Sequence, residues 1–559
     1  MATASEGTAS DSLATGWARL AAGAWAPARA SFTTALAEEE TPEALEGLGW
    51  AAWWLDDAAA VFDARERAYL LYRRRGERAN AARMATWLAA DELDFRGAAA
   101  VAGGWLRRAG RLLEPLEPGP AHGWLAFQEG YLAQLSGDTA TAVRLGARAA
   151  DLGRRCDVPD LEMLGLALRG AGLVADAEVQ EGMRCLDEAT ATALAGEATV
   201  PISGAWACCF LVTACTAVLD FERAFEWCDR IAEFAQRYGS RYMLAFCRAE
   251  YGAVHLWRGR WADAEAMLEA SVGDFSRTRP AMVGGPLVAL AELRRRQART
   301  DEASRLLDRA GASSRAQLCR ARLALDRGET RRAVELTERL LRQLPAGRAL
   351  DRAPALEHLA RAHVARGELD EARAALRSLR AIERSVGTEA MRATAEAVEG
   401  ALEAAAGGHE RARTVLEDAV DRFERSGAPF EASRARVELA TSLAAVARPD
   451  QAEREATAAL ARFVELGARA EAERARRLLE SVHADRDDTA LAGITRRERE
   501  VLALLAEGLT NRQIAARLVV SEHTVHRHVT NILRKLALSS RTAAAMHALR
   551  SGLLDRDAT

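Results

Sequence analysis

A chain of 559 residues is too long for one hydrophobic core, so it requires at least two domains or a repeat array. Hydrophobic residues make up 49% and aromatics only 6%, with 13 prolines, which favours helix over strand throughout and predicts an all-α protein. The formal net charge of −4 is unevenly divided: residues 491–554 hold ten basic and four acidic side chains, net +6, leaving −10 elsewhere, so a polyanion is expected to meet the C-terminal end alone.

In chain order, residues 1–11 (MATASEGTASD) read as a disordered N-terminus, with acids where an export signal would carry Lys or Arg and no apolar run behind them. A cytoplasmic, nucleoid-associated protein is expected. From residue 12 the pattern turns helical, with an early cluster of Trp17, Trp25, Trp50, Trp53, Trp54, Tyr69 and Tyr72. Such residues pack helices together; lining a ligand pocket is their alternative use. Cys156, Cys185, Cys208, Cys209, Cys215, Cys228, Cys247 and Cys319 fall inside helical patterns without a CxxC pair, as expected for buried thiols rather than disulfides or a zinc site. Residues 198–219 carry no charge and approach the length of a bilayer span. Pro201, Ser203, Gly204 and acidic rather than basic flanks (Glu197, Asp220) make this a buried helix preceded by a loop, and no membrane is expected as a partner.

A glycine followed five residues later by alanine recurs at Gly137/Ala142, Gly259/Ala264, Gly328/Ala333, Gly367/Ala372 and Gly407/Ala412. The spacings of 39 and 40 residues between the last three glycines, and of 69 between Gly259 and Gly328, leave room for a degenerate unit around Arg299 to Ala303. In each unit one apolar helical stripe (Leu356, Leu359, Ala360, His363 or Val364) is stopped by glycine, and a second (Ala372, Ala375, Leu376, Leu379) follows. One such pair cannot bury both faces. Stacking is therefore obligatory, and a superhelix with a concave surface follows. These units resemble tetratricopeptide repeats in a degenerate form, over residues 12–481, and the resemblance implies recognition of a small ligand or protein.

Residues 482–490 (VHADRDDTA) mark a linker. Beyond it, Thr495 with Glu498 and Thr510 with Gln513 form capping boxes, Ser521 is a third N-cap, and Gly508 ends the first helix. In the third helix Val525, Val529, Ile532, Leu533 and Leu536 form a core stripe. His523, His526, Arg527, Thr530 and Arg534 form the opposite stripe, rich in donors and without an acid, as a helix in the major groove requires. Residues 491–554 resemble the helix-turn-helix domain of LuxR-type regulators through Thr495, Arg497 to Leu502, Gly508, Thr510, Asn511, Ile514, Ala515, Leu518, Ser521, Thr524, Val525, His528, Val529, Asn531, Ile532, Lys535, Leu536 and Arg541. The resemblance implies a four-helix domain whose third helix enters the major groove of an operator and whose fourth, 542–549, helps form a homodimer on DNA; residues 555–559 are a disordered tail. Thr510, Asn511, Ser521, His523, Thr524, His526, Arg527, Thr530, Asn531, Arg534 and Lys535 are the expected DNA-binding residues, and RNA polymerase is a candidate partner. Two positions depart from the family pattern: His526 stands where Lys is usual, and Ala537 where Gly is usual.

No cofactor, metal or enzymatic activity is expected. Lys535 is the only lysine, so no P-loop lysine exists to meet ATP phosphates, and the helical N-terminal region is not a receiver domain. His358 and His363 lie about 140° apart around a helix, as they would not for one metal ion. The expectation is a sequence-specific transcriptional regulator whose repeats sense a ligand or partner. The alternative is a repeat scaffold with a degenerate helix-turn-helix bundle, favoured only by His526.

Overall fold

Alanine-rich amphipathic segments broken by left-handed residues fold as helical hairpins, and among the described residues there are helices and no strands. The computed structural model describes residues 3–199, 201–239, 241–345, 347–536 and 538–550. Among the described residues twenty-five α-helices run from Thr3 to Ala492, paired as successive hairpins, and four more form a separate C-terminal bundle with its own core.

The glycine–alanine signature has a direct mechanical meaning. Gly367 adopts φ +77°, the Glu368 N–H closes onto the His363 carbonyl at 3.0 Å, and the chain turns into helix Leu369–Val386. Five residues past the turn, Ala372 is fully buried where the two helices approach most closely. The same geometry recurs at Gly137, Gly259, Gly328 and Gly407, and the degenerate unit turns on Ala298 at φ +61° with Ala303 buried. Asp56, Asp157, Ala177, Leu219 and Ala447 make equivalent left-handed turns without glycine. Elsewhere contact is closer still: a Cβ on Gly165 would lie 2.3 Å from the Ala150 backbone nitrogen, so only glycine fits that helix crossing.

Two boundaries differ from the sequence expectation. Residues 3–11, read as disordered, begin helix Thr3–Ala21, where the Ala, Ser and Glu of the tail continue a helical segment. The proposed linker 482–490 lies within helix Arg469–Ala492, because its Ala and Asp residues contain no Gly or Pro to stop a helix already under way. The tail 555–559 lies outside the described residues.

The superhelix closes on itself rather than leaving an open groove. Thr388 Oγ1 donates to the Val218 carbonyl at 2.8 Å, and Trp257 Nε1 to the Ser426 carbonyl at 3.3 Å. Arg279 reaches Asp56, 223 positions earlier, at 2.7 Å. One continuous core joins residues 126–257 to 350–482, and another joins 25–125 to 202–275. The uncharged stretch singled out in the sequence is the innermost wall: helix Pro201–Ala217 contributes to both cores. None of the described helices is long and apolar enough to cross a membrane.

The concave face holds a lumen with two adjoining chambers of about 310 and about 580 Å³, sharing Ala217, Phe246, Met282, Arg315, Leu350 and Asp351. The larger is lined by an arginine–glutamate ladder. Glu292 pairs with Arg295 and Arg296, and Arg361 bridges Glu357 at 2.5 Å and Glu438 at 2.8 Å. Burial alone would raise the Glu357 carboxyl, but Arg361 and Arg322 outweigh it and hold it at about 2, so the ladder is charged and internally compensated. None of the seven early aromatics lines either chamber; Trp25, Trp53, Trp54, Tyr69 and Tyr72 are buried helix-packing core. Six of the eight cysteines are buried, and Cys156 and Cys209 are half-buried.

Candidate nucleic-acid interface

The C-terminal bundle consists of helices Arg496–Ala506, Asn511–Leu518, Glu522–Lys535 and Arg541–Arg550, around Ile494, Val501, Leu502, Leu505, Ile514, Val525, Val529, Ile532, Ala544 and Ala548. Both capping boxes form. The Thr495 N–H donates to Glu498 Oε2 at 2.8 Å and the Thr510 N–H to Gln513 Oε1 at 2.8 Å, while each threonine hydroxyl oxygen accepts from the backbone of the third helical residue. Ser521 caps the third helix by accepting from the Thr524 N–H at 3.1 Å. Gly508 is left-handed at φ +82°, which ends the first helix and aims the second.

The third helix has the two faces read from its sequence. Val525, Val529 and Ile532 are buried, with Leu533 and Leu536 half-buried against them. On the other side His523, His526, Arg527, Thr530 and Arg534 are exposed; Thr530 Oγ1 returns a hydrogen bond to the His526 carbonyl. Thr524 and Asn531 are half-buried at the margin. Glu522 occupies the first turn, where it complements the helix dipole.

Among the described residues Arg527 and Arg534 form no salt bridge, in a chain whose array arginines pair repeatedly with glutamates. Arg512 is likewise exposed without a salt bridge, in the first turn after the Thr510 cap. Sequence reasoning passed over it because it lies on a short helix, outside the periodic stripe; its place inside a capping box, at the second helical position, was the available signal.

Two expected site residues are engaged within the bundle. Lys535 Nζ lies 2.6 Å from Glu498 Oε2, tying the third helix to the first. Burial acts to raise the Glu498 carboxyl, and Lys535 and Thr495 outweigh it, so the carboxyl sits below its ordinary value. Asn511 Oδ1 accepts from Arg541 at 2.7 Å, and Arg541 also reaches the Leu509 carbonyl, locking the fourth helix onto the start of the second. Lys535→Ala leaves a buried carboxylate without its cation and should destabilise the bundle by about 1–3 kcal/mol, measured as lost amide protection over residues 494–548; unchanged protection would show that the pair contributes little.

The turn between the second and third helices carries strain. Val519 has φ +53° and is 90% exposed, so a β-branched residue occupies a left-handed position with no packing in return. Val519→Gly should stabilise the bundle by about 0.5–1 kcal/mol in the same exchange measurement, and a loss of protection would refute the strain. Ala537 lies outside the described residues.

A family profile described as bacterial regulatory proteins, luxR family, matches residues 492–548. Spore germination protein GerE of Bacillus subtilis (strain 168) is 42% identical over 62 residues, covering 11% of this chain and 84% of that protein. The chain belongs to the luxR family of bacterial regulatory proteins. This luxR-family chain is also similar to the transcriptional regulatory protein LiaR of the same organism, 48% identical over 62 residues, 11% of this chain and 29% of that protein. The DNA-binding transcriptional activator DevR/DosR of Mycobacterium tuberculosis (strain ATCC 25618 / H37Rv) is 50% identical over 58 residues, 10% of this chain and 27% of that protein. The luxR-family chain thus spans under a third of the length of LiaR and DevR/DosR, and the likeness is confined to the bundle. A chain of the APC/C hetero-tetramer Cut9-Hcn1 crystal structure superposes on 82% of this chain and 95% of its own length, with TM-score 0.36 and 11% identity.

Proposed function

We propose that this protein is a sequence-specific DNA-binding regulator of transcription, and that its closed repeat array receives a ligand or protein signal. The observation that carries the reading is the exposed, acid-free stripe of His523, His526, Arg527, Thr530 and Arg534 on a helix whose opposite face is fully committed to the core. That helix offers donors of major-groove length, and the capped N-termini at Thr510 and Ser521 offer backbone N–H groups to phosphate. Arg512, Arg527 and Arg534 supply uncommitted charge. Lys535 enters as a positioning residue that ties the third helix to the first, and Asn511 as one that seats the fourth helix on the second.

Met546 and Leu549 are half exposed on the fourth helix, an apolar pair that fits pairing of two copies on a two-fold operator. With the array net negative and the bundle net positive, contact with DNA falls to the bundle.

Selection of duplexes from a random pool by the full chain, at several salt concentrations, tests the reading. Recurrent, roughly palindromic sites with affinity that falls steeply with salt are expected. Arg527→Ala should cost about 1–3 kcal/mol on the selected site and little on random DNA, which relaxes discrimination at one base pair. No enrichment at low salt would overturn the proposal.

A further inference from the structure

The smaller chamber of the lumen differs in chemistry from the larger. Its walls are aromatic: Phe127 and Trp206 lie nearly parallel with ring centres 6.3 Å apart, and Tyr131 meets Phe210 edge-on at 5.9 Å. Tyr242 and Phe246 complete the wall, and the volume of about 310 Å³ falls at the lower end of the range that holds small organic ligands. Two side chains that line it, Gln128 and Gln134, six residues apart on helix Pro120–Ser136, carry amide oxygens with no hydrogen-bond partner. Gln128 is 2% exposed and lines the chamber. A buried acceptor left unmet is costly, and a donor entering the chamber relieves it.

We propose that this chamber binds a flat, uncharged aromatic molecule bearing hydroxyl or amino groups, its rings between Phe127, Tyr131, Trp206 and Phe210 and its donors on Gln128 and Gln134. This inference rests on the reading of the array as the signal-receiving part. The absence of charge follows from the walls. At the inner end Asp94 already has Arg279 and Arg65 as neighbours, and burial outweighs them to push its carboxyl up to about 6. Arg348 is paired with Asp351, and the charge of Arg315, the remaining cation of the wall, acts on the Glu250 carboxylate.

Flat rings maximise contact with parallel and edge-on aromatic walls, and donors rather than acceptors match the two carbonyl oxygens. The chamber draws its walls from helices Pro120–Ser136, Pro159–Ala175, Pro201–Ala217 and Arg241–Trp257, with Leu350 from a later turn of the superhelix. A ligand there touches successive turns at once, and its occupancy is coupled to how tightly they close.

The test uses the full chain with naphthalene-2,7-diol as probe and its dimethyl ether as the control lacking donors, followed by calorimetry and tryptophan fluorescence. The diol should bind at least about tenfold more tightly than the ether. Gln128→Leu and Gln134→Leu should erase that preference, and Thr213→Phe, which fills the chamber, should abolish binding of both, with helical content unchanged by circular dichroism. Equal affinity for the two probes, a preference that survives both glutamine substitutions, or no binding of either at about 1 mM overturns the proposal. DNA selection on the same preparations separates the two readings: DNA binding without probe uptake removes the chamber and keeps the regulator, whereas probe uptake without DNA binding does the reverse.

Discussion

Val529→Asp is expected to abolish amide protection across residues 494–548 and to leave the array protected, because it places an unpaired carboxylate in the core of the bundle. Val529 is 7% exposed within a core of only a dozen buried residues. Lys535 is already bound to Glu498 and does not receive the charge. The expected cost, about 4 kcal/mol or more, is a large part of the stability of so small a bundle. Operator binding should vanish with it. Full protection in this variant would mean that the stripe facing inward has been assigned wrongly, and with it the face offered to DNA.

Arg279→Ala is the second large effect, and it falls on the closure of the superhelix. The guanidinium is fully buried, donates to Asp56 at 2.7 Å and to the Thr278 carbonyl at 3.0 Å, and lies 3.7 Å over the Phe95 ring. Asp56 is itself largely buried; burial raises its carboxyl and Arg279 opposes the shift. Removing the arginine strands that carboxylate and opens a gap between two turns, at an expected cost of about 3–5 kcal/mol. Hydrogen exchange should show helices Pro42–Trp54 and Trp261–Thr278 opening together, far below the global transition. Arg279→Lys keeps the charge but not the planar stack, and should fall between the two. Wild-type protection in Arg279→Ala would show that the turns are held elsewhere.

Much of this architecture was legible because its punctuation is chemical. Thr495 with Glu498 and Thr510 with Gln513 announce helix starts through side chains that must hydrogen-bond, and both do. Gly137, Gly259, Gly328, Gly367 and Gly407 announce hairpins through a backbone angle that glycine takes without strain. The hairpins turning at Asp56, Asp157, Ala177, Leu219 and Ala447 were silent for the same reason: tertiary packing imposes the left-handed angle on residues whose identity does not advertise it. Closure was illegible altogether, since Arg279 and Asp56 are 223 positions apart and neither breaks a local pattern.

The site was legible by face and not by partner. Periodicity separates Arg527 and Arg534 from Val525 and Val529, and the structure keeps them apart. It could not distinguish Lys535, whose ammonium is taken by a carboxylate 37 residues earlier, from an uncommitted cation at the same face. Nor could it find the chamber, whose aromatic walls come from three separate helices and not from the tryptophan-rich start of the chain.

Helix Arg469–Ala492 runs unbroken from the last hairpin to the edge of the bundle, 24 residues that span about 36 Å. A joint of this kind couples reach to bearing. Each residue inserted in it lengthens the arm by about 1.5 Å and swings whatever it carries through about 100°, so a single insertion points the recognition helix sideways while barely changing its distance. Seven residues, close to two full turns, bring the heading back to within about 20° while lengthening the arm by about 10 Å.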